Sequence, residues 1–192
     1  MKKQAKVSVE GIKPLLIHAF KEEALDKKKS KSGSAGNSPD EWQNTIIMDG
    51  DRKIYLPSSY FFASIKEAGK YTKIGRGNIV KHVGATLEVS PDNIYLDDRI
   101  VPLPNEISRD STQRVYLDVR SVVNPMTKGR NLRYRVACPP GWKAFFFISW
   151  EDSILSASQM EQLVKDAGLM AGTGCGRAIG FERFQVLSFQ IC

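Results

Sequence analysis

Apolar and polar positions alternate from the first residues. Val7, Val9 and Ile12, followed by Leu15-Leu16-Ile17, predict an opening strand, and Pro14 predicts a bend or bulge because its ring removes a ladder donor. The alternation then stops. Residues 21–40 carry Lys27-Lys28-Lys29-Ser30-Lys31 and a run of Ser, Gly and Asn with almost nothing that could enter a core, which predicts a long mobile loop. Ile46-Ile47-Met48 and Lys53-Ile54-Tyr55-Leu56 flank Asp49-Gly50, a pair that tolerates tight hairpin turns, so a hairpin is expected there. Pro57-Ser58-Ser59 opens a helix with either serine as its cap; Phe61, Phe62, Ile65 and Ala68 recur near helical spacing before Gly69 ends it.

Residues 74–135 are rich in insertions. Gly75, Gly77, Gly84, Pro91, Pro102 and Pro104 punctuate short apolar runs and predict hairpins and loops. Val115 to Val123 and Tyr134 to Ala137 read as strands around the Lys128-Gly129-Arg130 turn. Trp142 to Trp150 is the most apolar segment and predicts a central strand buried on both faces. Ser156 with Gln159 three residues on forms a capping box for a helix through Met160, Leu163, Val164 and Ala167. A glycine-dense tract, 168–180, leads to a closing strand, Phe181 to Phe189, that alternates strictly from Phe184. The order of elements predicts an α+β fold: a ferredoxin-like (RRM-like) βαββαβ plan with an antiparallel sheet, two helices on one face and inserted hairpins.

Composition adds bounds. The 192 residues suit a single domain, and 42% hydrophobic with 26% charged is a globular balance. No apolar run approaches the roughly 20 residues of a membrane span, and the N-terminus has no signal-peptide block, so a cytoplasmic protein is expected. Cys138, Cys175 and Cys192 are odd in number and far apart, arguing against a disulfide framework and against a metal site, and no cofactor motif is present.

The net charge of +7 favours a polyanionic partner. The excess is concentrated: Arg109, Arg114, Arg120, Lys128, Arg130, Arg133 and Arg135 face only Asp110 and Asp118 in that stretch. With Tyr134 among them, Arg130, Arg133 and Arg135 offer guanidinium and aromatic surfaces on which unpaired bases stack; a solvated arginine-rich hairpin is the plainer alternative. Lys66, with Lys70, Lys73 and Arg76, either extends such a groove or solvates the first helix.

The tract Gly168-Leu169-Met170-Ala171-Gly172-Thr173-Gly174-Cys175-Gly176-Arg177-Ala178-Ile179-Gly180 follows a helix and precedes a strand, the reverse of a dinucleotide fingerprint, and lacks the Gly-Lys-Ser/Thr ending of a P-loop. Glycines let a backbone approach a ligand and turn amides toward phosphate oxygens; they equally suit a tight helix-to-strand connection.

This tract, with Arg177 inside it and the exit Gly180-Phe181-Glu182-Arg183-Phe184, resembles the C-terminal glycine-rich motif of the RAMP superfamily of CRISPR-associated proteins. Ile54-Tyr55-Leu56-Pro57-Ser58-Ser59 resembles that family's approach to its first helix, although Ser58 stands where glycine is usual and Tyr60-Phe61 replaces a lysine-glycine pair. The resemblance covers about a third of the chain, which is short for the family's backbone subunits and leaves room for a phage or mobile-element relative.

The resemblance implies a single-stranded RNA partner, a guide RNA, gripped without sequence preference by Gly172, Gly174, Gly176, Arg177, Ser58 and Ser59. Copies of the chain would stack head-to-tail, together with other effector subunits. Arg120, Arg130, Arg133, Arg135 and Lys66 would add charge. The alternatives are a RAMP-type endoribonuclease, a single-stranded DNA-binding or recombination accessory protein, and an interaction protein that borrows the fold. For the endoribonuclease the candidates are His18, placed for general-base work where the first strand ends, and Asp40, which resembles the position of the backbone-subunit aspartate.

Overall fold

A computed structural model describes residues 1–19, 39–74, 77–123, 126 and 128–192. The predicted loop therefore lies outside the described residues except for its end at Pro39 and Asp40, and so does Arg76.

β1 (Lys2–Gly11) turns Ala5, Val7 and Val9 into the core and leaves Lys6 and Ser8 outside. The bend expected at Pro14 is a change of sheet: β2 (Leu15–Ile17) pairs with a different set of strands from β1. Trp142 fixes that crossing. Its indole nitrogen donates to the Lys13 carbonyl at 3.0 Å, and its ring lies so close to Gly11 that a Cβ there would come within 1.9 Å of it.

A short helix unforeseen in the sequence, α1 (Glu41–Thr45), anchors Trp42 in the core; five residues are too few to show a period. Met48 bridges Ile54 at the start of β3 (Lys53–Pro57), forming the expected hairpin. Its turn is held by the Asp49 carboxylate, which accepts the amides of Asp51 and Lys53 at 3.0 and 2.9 Å.

α2 (Ser58–Ala68) buries Phe61, Ser64, Ile65 and Ala68. Neither serine caps it. Pro57 is the capping residue, and the Ser58 amide donates to the Asp92 carbonyl at 2.7 Å. β4 (Lys73–Ile74) and β5 (Gly77–Asn78) form a minimal pair, and α3 (Val80–Thr86), another helix too short to announce itself, buries Val83.

β6 (Glu88–Ser90), β7 (Asn93–Ile100), the hairpin β8 (Tyr116–Val123) and β9 (Arg130–Cys138), and β10 (Lys143–Glu151) follow. β10 is central, as expected. It is buried on one face only: Phe146, Ile148 and Trp150 point inward while Phe145 is 41% exposed. α4 (Ala157–Asp166) has the predicted capping box between Ser156 and Gln159. A π-turn (Ala167–Ala171) and a 3-10 turn (Arg177–Ile179) carry the glycine tract to β11 (Phe184–Ile191).

The result is α+β, with every strand pairing antiparallel. The larger sheet runs β11-β1-β10-β7-β3 with β6 also on β10, an order compatible with a ferredoxin-like fold; a smaller sheet runs β2-β9-β8. Phe61 of α2 packs on Phe146 and Phe184 with ring centroids 4.4 and 6.0 Å apart, binding helix to sheet. Burying each such ring contributes about 1.5–3 kcal/mol.

Candidate nucleic-acid interface

Side chains alternate across the smaller sheet, so it has two dissimilar faces. Leu15, Ile17, Leu117, Val136 and Cys138 join the main core. On the other face Leu16, Tyr116 and Ala137 form a separate apolar base, covered by Phe181 from the end of the glycine tract.

Beyond that base the same face becomes charged. The register sets Asp118 opposite Arg135 and Arg120 opposite Arg133. Arg120 donates from Nε to both carboxylate oxygens of Asp118 at 2.8 Å, and its guanidinium lies 4.4 Å from the centre of the Phe181 ring. The packing orients it at little entropic cost, and the planar group stacks as well as pairs. Arg133 reaches Glu41 of α1 at 2.5 Å, and His18, just past β2, lies 3.8 Å from the same carboxylate oxygen. Nε of Arg135 is buried with no hydrogen-bond partner among the described residues. Burial, then the Arg135 charge, holds His18 below its ordinary value of 6.5, with Glu41 pulling the other way.

The glycine tract forms the adjoining wall, and its amides do not all turn outward as expected. Gly172, at φ +76, donates to the Ala167 carbonyl at 2.7 Å. The Gly176 amide donates to the carboxylate of Glu182, a fully buried residue that itself adopts φ +68. Gly168 is pressed against Phe184, where a Cβ would fall 2.1 Å from the carbonyl oxygen. These glycines serve close packing of the chain on itself. Burial pushes the Glu182 carboxyl up to about 7, opposed by backbone groups of Gly176, Leu16 and Cys175. Gly174, at φ +124, and exposed Arg177 remain toward a cleft of about 470 Å³ that they share with Cys175, Arg183, and Glu67 and Tyr71 from the end of α2.

The other predicted residues are distributed unevenly. Ser59 is exposed on the first turn of α2, and the Ser58 amide already has its partner in Asp92. Tyr60 beside them feels Cys175, Glu182 and Arg177, so this turn adjoins the glycine tract. Lys66 instead lies over Phe62 and against Gly84 of α3. Arg130, opposite Val123 at the exposed end of β9, falls on the alternate face from Arg133 and Arg135. Asp40 begins α1, where Gln43 donates to it at 3.3 Å; its neighbour Glu41 is the carboxylate that meets His18.

Glu41, Asp118, Phe181 and Glu182 are participants to which sequence reasoning assigns no role. Asp118 carries a signal in its two-residue offset from Arg120, and Phe181 and Glu182 in their place at the exit of the glycine tract, whereas Glu41 carries none. No group of three or more His, Cys, Asp or Glu side chains among the described residues is placed to hold a metal ion, and none of the described helices is long and apolar enough to cross a membrane.

No protein-family model matches the chain, and no curated protein matches it. Among solved structures it resembles a chain from the cryo-EM structure of Type III-B Cmr-beta bound to cognate target RNA, with a TM-score of 0.57 and 14% identity. The match covers 99% of this chain and 60% of that one, so the chain spans about three-fifths of its neighbour's length. At this identity the likeness is one of fold.

Proposed function

We propose that the chain is an RNA-binding protein of the CRISPR-associated RAMP type, on a ferredoxin-like βαββαβ plan, that holds single-stranded RNA across the arginine face of its smaller sheet. The observation that carries this reading is the placement of Arg120, Arg133 and Arg135 on one sheet face beside Phe181, with Arg177 on the neighbouring wall. Guanidiniums take phosphates without reading sequence, and Phe181 and the stacked Arg120 offer surfaces to bases of any identity. The resemblance of the glycine tract to the RAMP motif and the fold of the Cmr-beta neighbour support the same reading. On it, copies of the chain lie head-to-tail along a guide RNA with other effector subunits, in the cytoplasm.

The test is fluorescence anisotropy of the full chain with a mixed-sequence single-stranded RNA over a salt series. Binding should weaken with salt, and Arg133→Ala/Arg135→Ala should lower affinity about ten-fold or more and flatten the salt slope by about 0.7 for each phosphate no longer neutralised. Affinity untouched by salt, preference for duplex, or an unaffected double variant would overturn the proposal. Competition with DNA of the same sequence separates this reading from the single-stranded DNA binder, through the 2′-hydroxyl.

One observation favours a second reading, the endoribonuclease. His18 stands on the same charged face, held toward its neutral form and 3.8 Å from Glu41, a pairing suited to general-base work.

A further inference from the structure

The larger sheet has a face that none of the described helices covers. Along β10 it presents Phe145 and Phe147, an edge-to-face pair with centroids 5.1 Å apart and planes at 82°. Lys6, on the neighbouring strand, places its ammonium 5.0 Å from the centre of the Phe145 ring. Across β7 and β3, Tyr95 and Tyr55 stand opposite each other with centroids 5.8 Å apart. Phe145 and Tyr95 are 41% and 42% exposed, and both line a groove of about 430 Å³.

An antiparallel sheet with one face in water ordinarily makes that face polar, so exposed rings on its central strands need a reason. The core does not supply one, because Ala144, Phe146 and Ile148 already serve it from the same strand.

We propose that this open sheet face is a second nucleic-acid site, on which unpaired bases stack against Phe145 and Phe147 while Lys6 and Lys143 take the adjoining phosphates. The chemistry of the patch favours this occupant over a protein. On β1, β10 and residues 93–97 of β7 the outward positions carry aromatics, lysines, Gln4, Ser8, Asn93 and Ser149, with acidic Glu10 and Glu151 toward the strand ends and Asp97 at the groove's edge, and no exposed Leu, Ile, Val or Met. Among the described residues Lys6 has no carboxylate in ion-pair contact, which leaves its charge available to a phosphate, whereas Lys143 has only Glu10 at 3.7 Å. The segment Lys143-Ala144-Phe145-Phe146-Phe147-Ile148 runs basic, small, aromatic, aromatic, aromatic, aliphatic, which matches the basic, small, aromatic, small, aromatic, aliphatic order of RNA-recognition strands except at Phe146. In RNA-recognition sheets, that order on a central strand sets stacking rings outward. Phe146, standing where that order has a small residue, points inward onto Phe61.

This surface belongs to a different sheet from the arginine face, and the inference does not rest on the function proposed above. Its test compares wild type, Phe145→Ala/Phe147→Ala, Phe145→Tyr/Phe147→Tyr and Arg133→Ala/Arg135→Ala. Each binds an oligouridine of about twelve nucleotides and an abasic oligomer with the same phosphates, with circular dichroism as the control for folding. The alanine pair should weaken oligouridine binding about ten-fold or more and leave the abasic oligomer unchanged, because a base–ring stack is worth about that factor or more; the tyrosine pair should retain binding.

Oligouridine affinity equal to wild type in the alanine pair, or an equal loss on the abasic oligomer, overturns the proposal. So does a wild-type dimer in gel filtration that the alanine pair dissociates without change in RNA affinity. A loss confined to the arginine variant removes the sheet site and leaves the arginine face in place; a loss confined to the phenylalanine variant does the reverse.

Discussion

The carboxylate of Glu182 accepts the amide of Gly176 inside the glycine tract, so the tract folds around an acidic side chain of its own exit strand. Glu182 is fully buried, and burial raises its carboxyl from the ordinary 4.5 to about 7. The folded state therefore holds this proton more tightly than the unfolded chain, and the stabilisation present below pH 4.5 is lost as pH rises through 7. The full effect is on the order of 3 kcal/mol. Denaturant unfolding at about pH 5 and pH 8 should show wild type losing stability relative to Glu182→Gln, which keeps an acceptor for Gly176 and has no proton to lose. Parallel pH profiles for the two proteins would contradict the assignment.

Gly168 is required by packing. A Cβ at this position would meet the Phe184 carbonyl at 2.1 Å and its ring at 2.7 Å, and both atoms belong to a buried residue that cannot swing away. Gly168→Ala should cost about 1–3 kcal/mol or more, seen as a lowered melting temperature. RNA affinity of the folded fraction should change little, since Gly174, Cys175 and Arg177, which line the cleft, lie further along the tract.

Arg130 and Arg133 are three residues apart and on opposite faces of β9. Arg130→Ala should leave RNA affinity within about two-fold, whereas Arg133→Ala should lower it several-fold, in keeping with about 1 kcal/mol for one phosphate left without its cation. Equal effects of the two substitutions would mean that strand register does not define the site.

Arg120 combines a forked contact with Asp118 and a stack on Phe181. Arg120→Lys keeps the charge and loses the plane, so RNA binding should fall nearly as far as in Arg120→Ala. Full rescue by lysine would show that only charge matters there.

His18 should titrate below 6.5 in nuclear magnetic resonance of the imidazole protons, because burial and Arg135 both oppose its protonation. Removing the Glu41 charge with Glu41→Gln should lower the value further, and Arg135→Met should raise it. Labelled RNA incubated with wild type should stay intact; cleavage abolished by His18→Ala would transfer the function to the endoribonuclease reading.

Much of the architecture is legible along the chain because its causes are local. Alternation of Val7 and Val9, the Ser156 and Gln159 box and the closing strand depend on neighbours within a few residues, and each element forms, although the closing strand starts at Phe184 rather than Phe181 and its pairing with β1 shifts register once. α1 and α3 escape because helices of five and seven residues owe their existence to buried Trp42 and Val83 more than to any period. Exposed Phe145 looks like core in the sequence because a strand whose outward positions are also aromatic cannot be told from a two-sided one by pattern.

By itself, the sequence determined the types of most elements, the concentration of arginine before residue 136, and the need for close backbone approach in the glycine tract. Which group makes that approach was decided only in three dimensions: Phe184 and Glu182 occupy places that composition alone would assign equally well to a phosphate. The same holds for Glu41 meeting His18 and Arg133, and for Phe181 lying over Arg120, pairings between elements far apart in the chain. Periodicity and capping act through adjacent residues, whereas register and the packing of one sheet against a distant loop minimise the energy of the whole molecule.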